Sequence, residues 1–295
     1  MTDLAAREIE IAGRAVRVTH PDRVVWPQTG TTKADLIDYL LAVAPVLLPH
    51  LRARATMLWR FPEGVEGPGW FQAQCRSRPP WVRVHEIVGR RGETLRYCVI
   101  EEPATLVWLA NLGTIELHPH TWTTDAPAEP TAIVFDLDPG PMADPADTAA
   151  VALRVADQLR RAGMTPVVKT SGSRGLHVAA PIDRGPTFDE TKRLSRELAE
   201  RLAHETPDRV VADSRRSSRR DRVFIDWVQN DRNRQLIAPY SPRATSMPQV
   251  STPLRWDEVE QLARGQGPDL RSAFRATVER VGAFGDLWLP SRERA

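Results

Sequence analysis

The sequence predicts an α+β protein, and two observations support this prediction. In the second half of the chain, predicted strands and helices follow the order β-α-β-β-α-β, the split βαβ arrangement of ferredoxin-like and RRM-like sheets. Hydrophobic residues make up 41% of the 295 residues and charged residues 26%, as in a globular protein with a core. We expect one domain over residues 1–295, with an N-terminal subregion at about 1–125 and an RRM-like subregion at about 126–295.

The first half begins with a predicted strand pair and a capped helix. Apolar and polar residues alternate over residues 8–19, which predicts two short strands. Thr32 and Asp35 have the spacing of a capping box, so we expect a helix that runs to about Leu48 and bends or ends near Pro45. Further predicted features are strands at 57–60 and 97–100, and a polar, Pro-rich loop at 123–130 between the halves.

The second half contains two predicted amphipathic helices between short strands. Asp144 and Thr187 are the expected helix N-caps, and Gly163 ends the first helix. Apolar residues at helical spacing are expected to face the core: Val151, Val155 and Leu159 in the first helix, and Leu194, Leu198 and Leu202 in the second. The predicted strands cover residues 131–138, 166–170, 176–180, 222–227 and 235–238.

The composition argues against intrinsic disorder, a collagen-like chain and membrane insertion. The longest apolar stretch, residues 36–48, is interrupted by Asp38 and Pro45 and is too short to span a bilayer. Residues 1–10 carry charges where a signal peptide has its apolar core, so none is expected. Cys75 and Cys98 do not make a disulfide framework, and we therefore expect a reducing cytoplasm.

The charge balance is nearly neutral, and its positive half is almost entirely arginine. Of the 40 basic residues only Lys33, Lys169 and Lys192 are lysines, and 38 acidic residues leave a net charge of +2. A GC-rich genome explains this bias most simply, although guanidinium groups also suit phosphate recognition. This balance argues against a protein surface that is basic overall and binds nucleic acid throughout, but it is compatible with a local basic patch.

An Asp-Leu-Asp-Pro-Gly sequence at residues 136–140 is the sharpest chemical feature. Side chains at i and i+2 of a strand share a face, so Asp136 and Asp138 are expected to lie close together at the end of an apolar strand. Two carboxylates repel and are costly to desolvate; Mg²⁺ or Mn²⁺ resolves both problems. The alternative is an Asp-Pro-Gly turn, which leaves Asp136 unexplained.

A third acid and a Gly-Ser loop extend this pattern. Asp226 lies in another apolar strand, either paired with an arginine or as the third carboxylate of a two-metal site for phosphoryl transfer. Residues 171–175, Ser-Gly-Ser-Arg-Gly, predict a turn whose backbone N–H groups form a nest for phosphate oxygens. Arg174 and His177 are expected to face the same cleft; the alternative is an ordinary hairpin with a surface arginine.

Arginines and aromatic residues provide the remaining candidate contacts. Trp70 and Phe71 follow a Gly-Pro-rich loop and form either an exposed base-stacking platform or a buried pair. His118 and His120 are not expected to bind zinc, since no third ligand is clustered with them. An arginine run is usually a solvated face, but beside a metal–phosphate site it would hold a triphosphate or a nucleic-acid backbone. The clustered arginines are Arg215, Arg216, Arg219, Arg220, Arg222, Arg232, Arg234 and Arg243.

Together these motifs resemble the archaeo-eukaryotic primase superfamily, and more narrowly the polymerase domain of bacterial ligase D and its stand-alone relatives. The resemblance covers about residues 11–288 and rests on Asp-Leu-Asp-Pro-Gly, Ser-Gly-Ser-Arg-Gly-Leu-His, Ile-Asp-Trp and Ala-Pro-Tyr-Ser-Pro-Arg. It implies a primase-polymerase fold with two mixed β-sheets flanked by helices. It also implies nucleotidyl transfer from NTP or dNTP to a DNA 3′-OH with two Mn²⁺ or Mg²⁺ ions, in gap filling during non-homologous end joining, with a preference for ribonucleotides.

The resemblance also implies roles for individual residues. Asp136, Asp138 and Asp226 match metal-binding, catalytic acids. The positions that match the nucleotide site are His118, Ser171, Arg174, His177, Arg219, Gln229 and Arg243. The positions that match DNA contacts are Arg23 and Lys33, for a 5′-phosphate, and Trp70 and Phe71, near the template base. His20 and Trp59 depart from the family pattern, so nucleobase contacts are expected to differ.

The implied setting is a monomeric, nucleoid-associated bacterial protein that binds DNA gaps or ends bearing a 5′-phosphate, with Ku and a separate ligase as partners. The chain has no Lys-x-Asp-Gly ligase motif, so we expect an excised polymerase domain or a separately encoded one. Two alternatives remain open: a two-metal nuclease or phosphodiesterase, and a non-catalytic module that bridges DNA ends. A primer that becomes longer indicates a polymerase, and a primer that becomes shorter indicates a nuclease. Binding that depends on a 5′-phosphate, without incorporation of nucleotides, indicates a bridging module.

Overall fold

The computed structural model of the chain describes residues 6–89, 91–213, 215 and 219–289. By their contacts these residues divide into two compact units. The first unit runs to His120 and also contains Tyr240–Val250 and Ala273–Gly285. The second contains Thr121–Pro239, Ser251–Ser272 and the chain from Asp286. The break after His120 falls just before the loop predicted at residues 123–130.

The chain up to His120 begins with the predicted hairpin and the predicted capped helix. Its elements are β1 (Ala6–Ile11), β2 (Arg14–Thr19), β3 (Val24–Trp26), β4 (Thr31–Thr32), α1 (Lys33–Leu47), β5 (Ala55–Arg60), β6 (Trp70–Gln72), β7 (Arg83–Val88), β8 (Thr94–Val99), α2 (Pro103–Asn111) and β9 (Thr114–Pro119). At the start of α1, Thr32 Oγ1 accepts from the Asp35 amide and the Asp35 carboxylate accepts from the Thr32 amide. Pro45 lies inside α1, and a short 3₁₀ turn follows at Leu48–His50.

The chain from Thr121 contains the predicted alternation of strands and helices. Its elements are β10 (Ala132–Pro139), α3 (Pro145–Arg161), β11 (Val167–Thr170), β12 (Leu176–Pro181), α4 (Phe188–Glu205), β13 (Val210–Val211), β14 (Val223–Asp226), β15 (Gln249–Val250), β16 (Pro253–Leu254), α5 (Trp256–Ala263), β17 (Ser272–Ala273) and α6 (Phe274–Phe284). Asp144 caps α3 and Thr187 caps α4, as predicted. Among the described residues, no helix combines the length and apolarity needed to cross a membrane.

The sheet of the second unit has the predicted split βαβ order. Its strands run β13-β14-β10-β12-β11-β16, and β14, β10, β12 and β11 pair antiparallel with one another. This is the order expected when two βαβ-like halves interleave, so the prediction of an RRM-like sheet is confirmed. Residues Phe135 and Leu137 of β10 lie in one buried cluster with Val155 of α3 and Leu202 of α4, so both helices cover the same sheet face.

The first unit is built around a second sheet. Strand β5 pairs antiparallel with β6, β8 and β9, and β8 in turn pairs with β7. Helix α1 buries Leu36, Leu40, Val43 and Leu47 at helical spacing. Tyr39 of α1 stacks on Phe274 of α6, with ring centroids 4.2 Å apart.

Two details of the element prediction are wrong. Leu194 is 40% exposed, because the buried stripe of α4 passes through Thr191, Ser195, Leu198 and Leu202 and leaves Leu194 on its flank. The stretch 235–238 is not a strand: only Gln235 forms a one-residue bridge, and the buried Ile237 and Ala238 that follow have irregular backbone. Apolar residues can be buried without strand pairing, and a short apolar run does not distinguish the two cases.

The two cysteines also differ from expectation, because Cys75 and Cys98 are joined by a disulfide. Cys98 lies in β8, and the loop that carries Cys75 runs alongside this strand. The Cys75 amide donates to the Arg96 carbonyl at 2.7 Å, and the two cysteine Cα atoms are 5.2 Å apart. The separation of the two cysteines in the sequence does not indicate this pairing between a strand and its neighbouring loop.

Candidate active site

Four polar side chains form a row across the sheet of the second unit. Asp226 of β14 lies opposite Asp136 of β10. On the other side, Asp136 lies opposite His177 of β12, and His177 lies opposite Lys169 of β11. Residues opposite one another in antiparallel strands point to the same face, and Asp138, two residues after Asp136, shares it. The predicted common face of Asp136 and Asp138 is thereby confirmed, and the register adds Asp226 to it.

Side-chain alternation places this row on the face opposite the helices. Phe135 and Leu137 pack into the core with α3 and α4, so the flanking Asp136 and Asp138 point the other way. The same face also carries a small apolar cluster, whose buried members are Val134, Val167 and Ala179.

Lys169 is the most deeply buried member of the row, with no exposed surface. Its ammonium group donates to His177 Nδ1 at 2.7 Å and to Ser251 Oγ at 2.6 Å. Because an ammonium has no acceptor, Nδ1 must accept and the ring proton resides on Nε2. Nε2 lies 3.2 Å from Asp136 Oδ1. A sequence pattern alone does not single out Lys169, since lysines are seldom buried and only the strand register reveals its place.

The position of Asp136 between these groups determines its pKa. Burial alone would raise the pKa of this carboxyl, because it disfavours the charged form. The neighbouring His177 and Lys169 outweigh that effect and hold the pKa of Asp136 below its usual value. Asp136 is therefore a half-buried carboxylate whose ionised form its neighbours favour.

The other two acids behave in the opposite way. Burial within the site, followed by repulsion from Asp136 and Asp226, raises the pKa of Asp138 to about 7. Burial and the charge on Asp136 also raise the pKa of Asp226. Arg219 opposes both shifts only in part, with Nη1 4.0 Å from Asp138 Oδ2. Three carboxylates on one face therefore carry more negative charge than their protein surroundings neutralise.

The three acids fit a hard divalent cation in their chemistry. All their donor atoms are oxygens, which Mg²⁺ and Mn²⁺ prefer, and their mutual repulsion is what a cation relieves. Asp136 Oδ1 is buried and accepts no well-directed hydrogen bond from the described residues. In their present positions, no three His, Cys, Asp or Glu side chains among the described residues are close enough together to hold a metal ion. Binding of a cation would thus require the carboxylates to turn towards it.

The Gly-Ser loop differs from the predicted nest of open N–H groups. The amides of Ser173 and Gly175 donate to Ser171 Oγ, at 3.2 and 3.1 Å. The Gly172 amide donates to Thr170 Oγ1, and the Ser171 amide to the Gly175 carbonyl. The loop thus satisfies most of its own N–H groups, and Ser171 is the residue that organises it.

Two glycines allow the chain to pass closely around the acids. A Cβ atom on Gly175 would lie 2.5 Å from the Leu137 carbonyl oxygen. A Cβ atom on Gly140 would lie 1.6 Å from the Arg219 carbonyl oxygen, so no side chain fits there. Arg174 adds a further link, since Nη2 donates to the carbonyl oxygens of Gly140 and Pro141. Both glycines therefore serve close approach of backbone to backbone.

Arg219 and Gln229 also lie beside the acids of the second unit. The Arg219 guanidinium covers the Phe224 ring at 3.6 Å from its centroid. Gln229 Nε2 is 3.5 Å from Asp136 Oδ2. The turn that carries Gln229 is fixed to β10 by Asn230, whose side chain bonds both the amide and the carbonyl of Val134.

The predicted arginine cluster is only partly directed at this site. Arg215 pairs with Asp213 at 2.5 Å and is exposed. Arg222 Nη1 donates to the Pro207 carbonyl. Arg216 lies outside the described residues, whereas Arg219 points at the site, with Nη1 4.0 Å from Asp138 Oδ2.

A second polar group lies in the first unit and centres on Glu116. This carboxylate is 1% exposed; Oε2 accepts from His118 Nε2 at 2.8 Å and from Arg243 Nη1 at 3.0 Å. Oε1 accepts from the Ala244 amide at 2.8 Å. His118 and Arg243, predicted separately for the nucleotide site, are thus brought together by a residue that the sequence patterns do not single out. The i, i+2 spacing of Glu116 and His118 in β9 is the only signal that could have found it.

The aromatic pair is exposed rather than buried. Trp70 is 45% exposed and Phe71 57%. Phe71 stacks on Trp59 with ring centroids 4.8 Å apart and meets the edge of His118 at 5.7 Å. Arg60 lies over the Trp70 ring. The pair is therefore exposed, as the first of the two alternatives requires, and its stacking on bases stays a prediction.

Arg23 and Lys33 lie together at the start of α1, but they differ in exposure. The Lys33 amide donates to the Arg23 carbonyl at 2.9 Å. Lys33 is buried, and its ammonium already donates to the Thr19 carbonyl and to Asn111. Burial, and then the charge on Arg23, lowers the pKa of Lys33. Arg23 is exposed, with Nη1 bonded to the Pro62 carbonyl.

Comparison with known proteins places this geometry in a family. Residues 32–288 match the family model described as LigD, primase-polymerase domain. The chain is 36% identical over 282 residues to the multifunctional non-homologous end joining protein LigD of Mycobacterium bovis, covering 92% of this chain and 36% of that protein. It is 30% identical over 288 residues to the LigD protein of Pseudomonas aeruginosa, covering 94% of this chain and 33% of that protein.

A solved structure shows the same relationship in three dimensions. The polymerase domain of ligase D from Mycobacterium tuberculosis, in complex with DNA, superposes with a TM-score of 0.86 at 33% identity. The match covers 92% of this chain and 96% of that domain. The chain spans about a third of the length of the curated relatives named above. The family match, the sequence identity and the shared fold establish that this chain belongs to the LigD primase-polymerase domain family.

Proposed function

We propose that this chain is a metal-dependent nucleotidyltransferase that adds nucleotides from NTP or dNTP to a DNA 3′-OH, in gap filling during non-homologous end joining or break repair. The observation that carries the proposal is the presence of Asp136, Asp138 and Asp226 on one sheet face, with more negative charge than the surrounding residues neutralise. Clustered carboxylates of this kind support phosphoryl transfer. Relatives named for end joining, and one solved with DNA, support the choice of substrate.

The three acids would hold two Mn²⁺ or Mg²⁺ ions. When bound, such ions lower the pKa of a hydroxyl nucleophile and neutralise charge on a leaving pyrophosphate. Asp136 is suited to this task because it remains ionised, fixed beside His177. Burial and then repulsion between the acids raise the pKa of Asp138 and of Asp226. Both would be deprotonated as cations bind, because a bound cation favours the ionised carboxylate.

Residues that match the family's nucleotide contacts would take the same roles here. They are His118, Ser171, Arg174, His177, Arg219, Gln229 and Arg243. The exposed Trp70 and Phe71 would stack on bases, since every base offers an aromatic face. For a 5′-phosphate the exposed Arg23 is the better candidate, because the ammonium of Lys33 is already bound by backbone and side-chain oxygens. Ku and a separate ligase would complete the repair reaction as partners.

A single assay on gapped DNA tests this function. A labelled primer is incubated with a template carrying a short gap, Mn²⁺ or Mg²⁺, and either NTP or dNTP. The proposal predicts a longer primer, with more product when the downstream strand carries a 5′-phosphate than a 5′-hydroxyl. A shortened primer would instead indicate a two-metal nuclease. Tight, phosphate-dependent binding without any change in primer length would indicate a non-catalytic bridging module.

A further inference from the structure

We infer that Glu116 is a positioning residue, which holds the Arg243 guanidinium and the His118 ring in place for the triphosphate of the incoming nucleotide. The inference rests on the proposed nucleotidyl transfer and adds to it a residue that the sequence motifs do not contain. Glu116 would not touch the nucleotide itself. It would act through the two side chains that its carboxylate binds.

The first observation is that the Glu116 carboxylate is buried and that both of its oxygens accept hydrogen bonds. It is 1% exposed and accepts hydrogen bonds from His118, Arg243 and the Ala244 amide, at 2.8, 3.0 and 2.8 Å. A buried carboxylate is costly unless it is paired and hydrogen-bonded, and here both oxygens are used. The carboxylate therefore fixes the direction of each donor around it.

The second observation is that Arg243 is left with unused donors. Glu116 engages Nη1 alone, whereas a structural arginine–carboxylate pair is frequently bidentate. Arg243 Nε is buried, yet it has no hydrogen-bond partner among the described residues. The guanidinium is thus anchored at one end, with a desolvated donor still to be satisfied. An anionic oxygen is the ligand that such a donor suits.

The third observation is the way the backbone brings Arg243 to β9. Tyr240 has φ +63°, the left-handed region that non-glycine residues seldom adopt, and its carbonyl accepts from Tyr39 Oη at 2.7 Å. The next residue, Ser241, is fully buried, and its Oγ accepts from the Leu117 amide between Glu116 and His118. Strained backbone that the surroundings hold in place is found preferentially at functional sites.

Aromatic side chains near Glu116 also suit the base of a nucleotide. In the register of the first-unit sheet, Glu116 of β9 lies opposite Trp59 of β5, and Trp59 lies opposite Phe71 of β6. The exposed face of Phe71 also meets the edge of His118. An aromatic face suited to a base therefore lies beside an anchored arginine suited to phosphate.

The test is the E116Q variant, which removes the charge and puts an amide donor where only donors are present. Steady-state extension of a gapped primer gives KM and kcat for the nucleotide, and titration of a fluorescent nucleoside triphosphate gives its Kd. We expect KM and Kd to rise by about 10- to 100-fold, the loss of one charged hydrogen bond, while kcat at saturation changes by less than about threefold. The matched control is E101Q, which breaks the exposed Arg83–Glu101 pair of the same unit and should leave all three constants unchanged.

A double-mutant cycle separates positioning from a merely structural role. In an H118A background Glu116 can act through Arg243 alone, so E116Q/R243A should there bind the nucleotide no more weakly than R243A. Additive losses, or an E116Q variant with wild-type KM and Kd, would overturn the inference. If E116Q does not fold, E116D keeps the charge but shortens the side chain, and it should show the same rise in KM; failure of both variants to fold would show that Glu116 is structural. A wild-type protein that neither extends a primer nor binds the nucleotide would overturn the proposed function instead.

Discussion

At the scale of single residues, the site depends on charged groups that the fold buries in specific pairs. Lys169 has no exposed surface, and its ammonium bonds His177 and Ser251. Glu116 plays the corresponding part in the first unit, between His118 and Arg243. Neither belongs to the residues that a motif would select, because each acts through a neighbour.

Replacement of Lys169 by Met tests the role of this buried cation. The apolar side chain fills a similar volume, so we expect the protein to remain folded, as circular dichroism would show. His177 loses the donor that fixes its tautomer, and Asp136 loses a nearby positive charge, so primer extension should fall by about tenfold or more. The exposed K192M variant, which breaks the Lys192–Asp231 pair, serves as the control. Full activity in K169M would contradict the assigned role.

The raised pKa of Asp138 predicts how metal binding depends on pH. Its pKa is about 7 in the folded chain and near 3.8 in the unfolded one. Between these values the unfolded chain releases the proton first, so without metal the contribution of Asp138 to stability falls as pH rises from about 4 to 7. A cation binds the ionised form, so the rise in Tm on adding Mn²⁺ should increase with pH and level off above about 7.

The control for this pH dependence is D138N, which cannot ionise. In this variant the rise in Tm caused by Mn²⁺ should be smaller, and its increase between pH 6 and pH 8 should be reduced. A wild-type shift that is equal at both pH values would show that Asp138 does not release a proton to the cation.

At the scale of elements, patterns that involve neighbouring residues could be predicted, whereas those set by distant contacts could not. The capping boxes at Thr32 and Thr187 are local, and both are present. The strand that carries Asp136 and Asp138 was also predictable from its apolar run. The irregular segment at 235–238 is buried by tertiary packing, which a short apolar run does not reveal.

The same distinction applies to the candidate site. The common face of Asp136 and Asp138 follows from the period of a strand, and is therefore predictable from their spacing. The pairing of Asp136 with Asp226 and His177 depends on the register of three strands, which the sequence of each strand does not specify. The open nest predicted at 171–175 is absent because the Ser171 hydroxyl accepts hydrogen bonds from the loop amides. The glycine and serine content of the loop does not show whether its amides bond a serine hydroxyl or stay open to a ligand.

Removal of the α4 capping box tests the contribution of an element boundary. In T187A the Glu190 amide loses its acceptor and the Glu190 carboxylate loses the Thr187 hydroxyl donor. We expect a loss of about 1 kcal/mol in the free energy of unfolding, which lowers Tm by roughly 2 °C in a chain of this size. The matched control is R201A on the exposed side of α4, which should change Tm little. Thermal unfolding followed by circular dichroism provides the measurement.

At the scale of the whole molecule, a net charge of +2 conceals a local division of charge. The acids of the second-unit sheet concentrate negative charge on one face, and the bonds of Lys169, Arg174 and Arg219 hold positive groups near it. Arg215 of the predicted basic run is instead paired with Asp213 on the surface. Net charge alone therefore says little about whether such a chain binds a polyanion.

The proposed function depends on the acids of the second-unit sheet, which would carry out nucleotidyl transfer. The most direct test compares the wild-type chain with D136N/D138N for extension of a labelled primer on gapped DNA with Mn²⁺. We expect extension by the wild type and at least a 1000-fold loss in the double variant, on the order of the effect of removing groups that act only in the transition state. Circular dichroism should show both proteins to be folded. Extension retained by a folded, purified D136N/D138N protein would contradict the assignment of these acids.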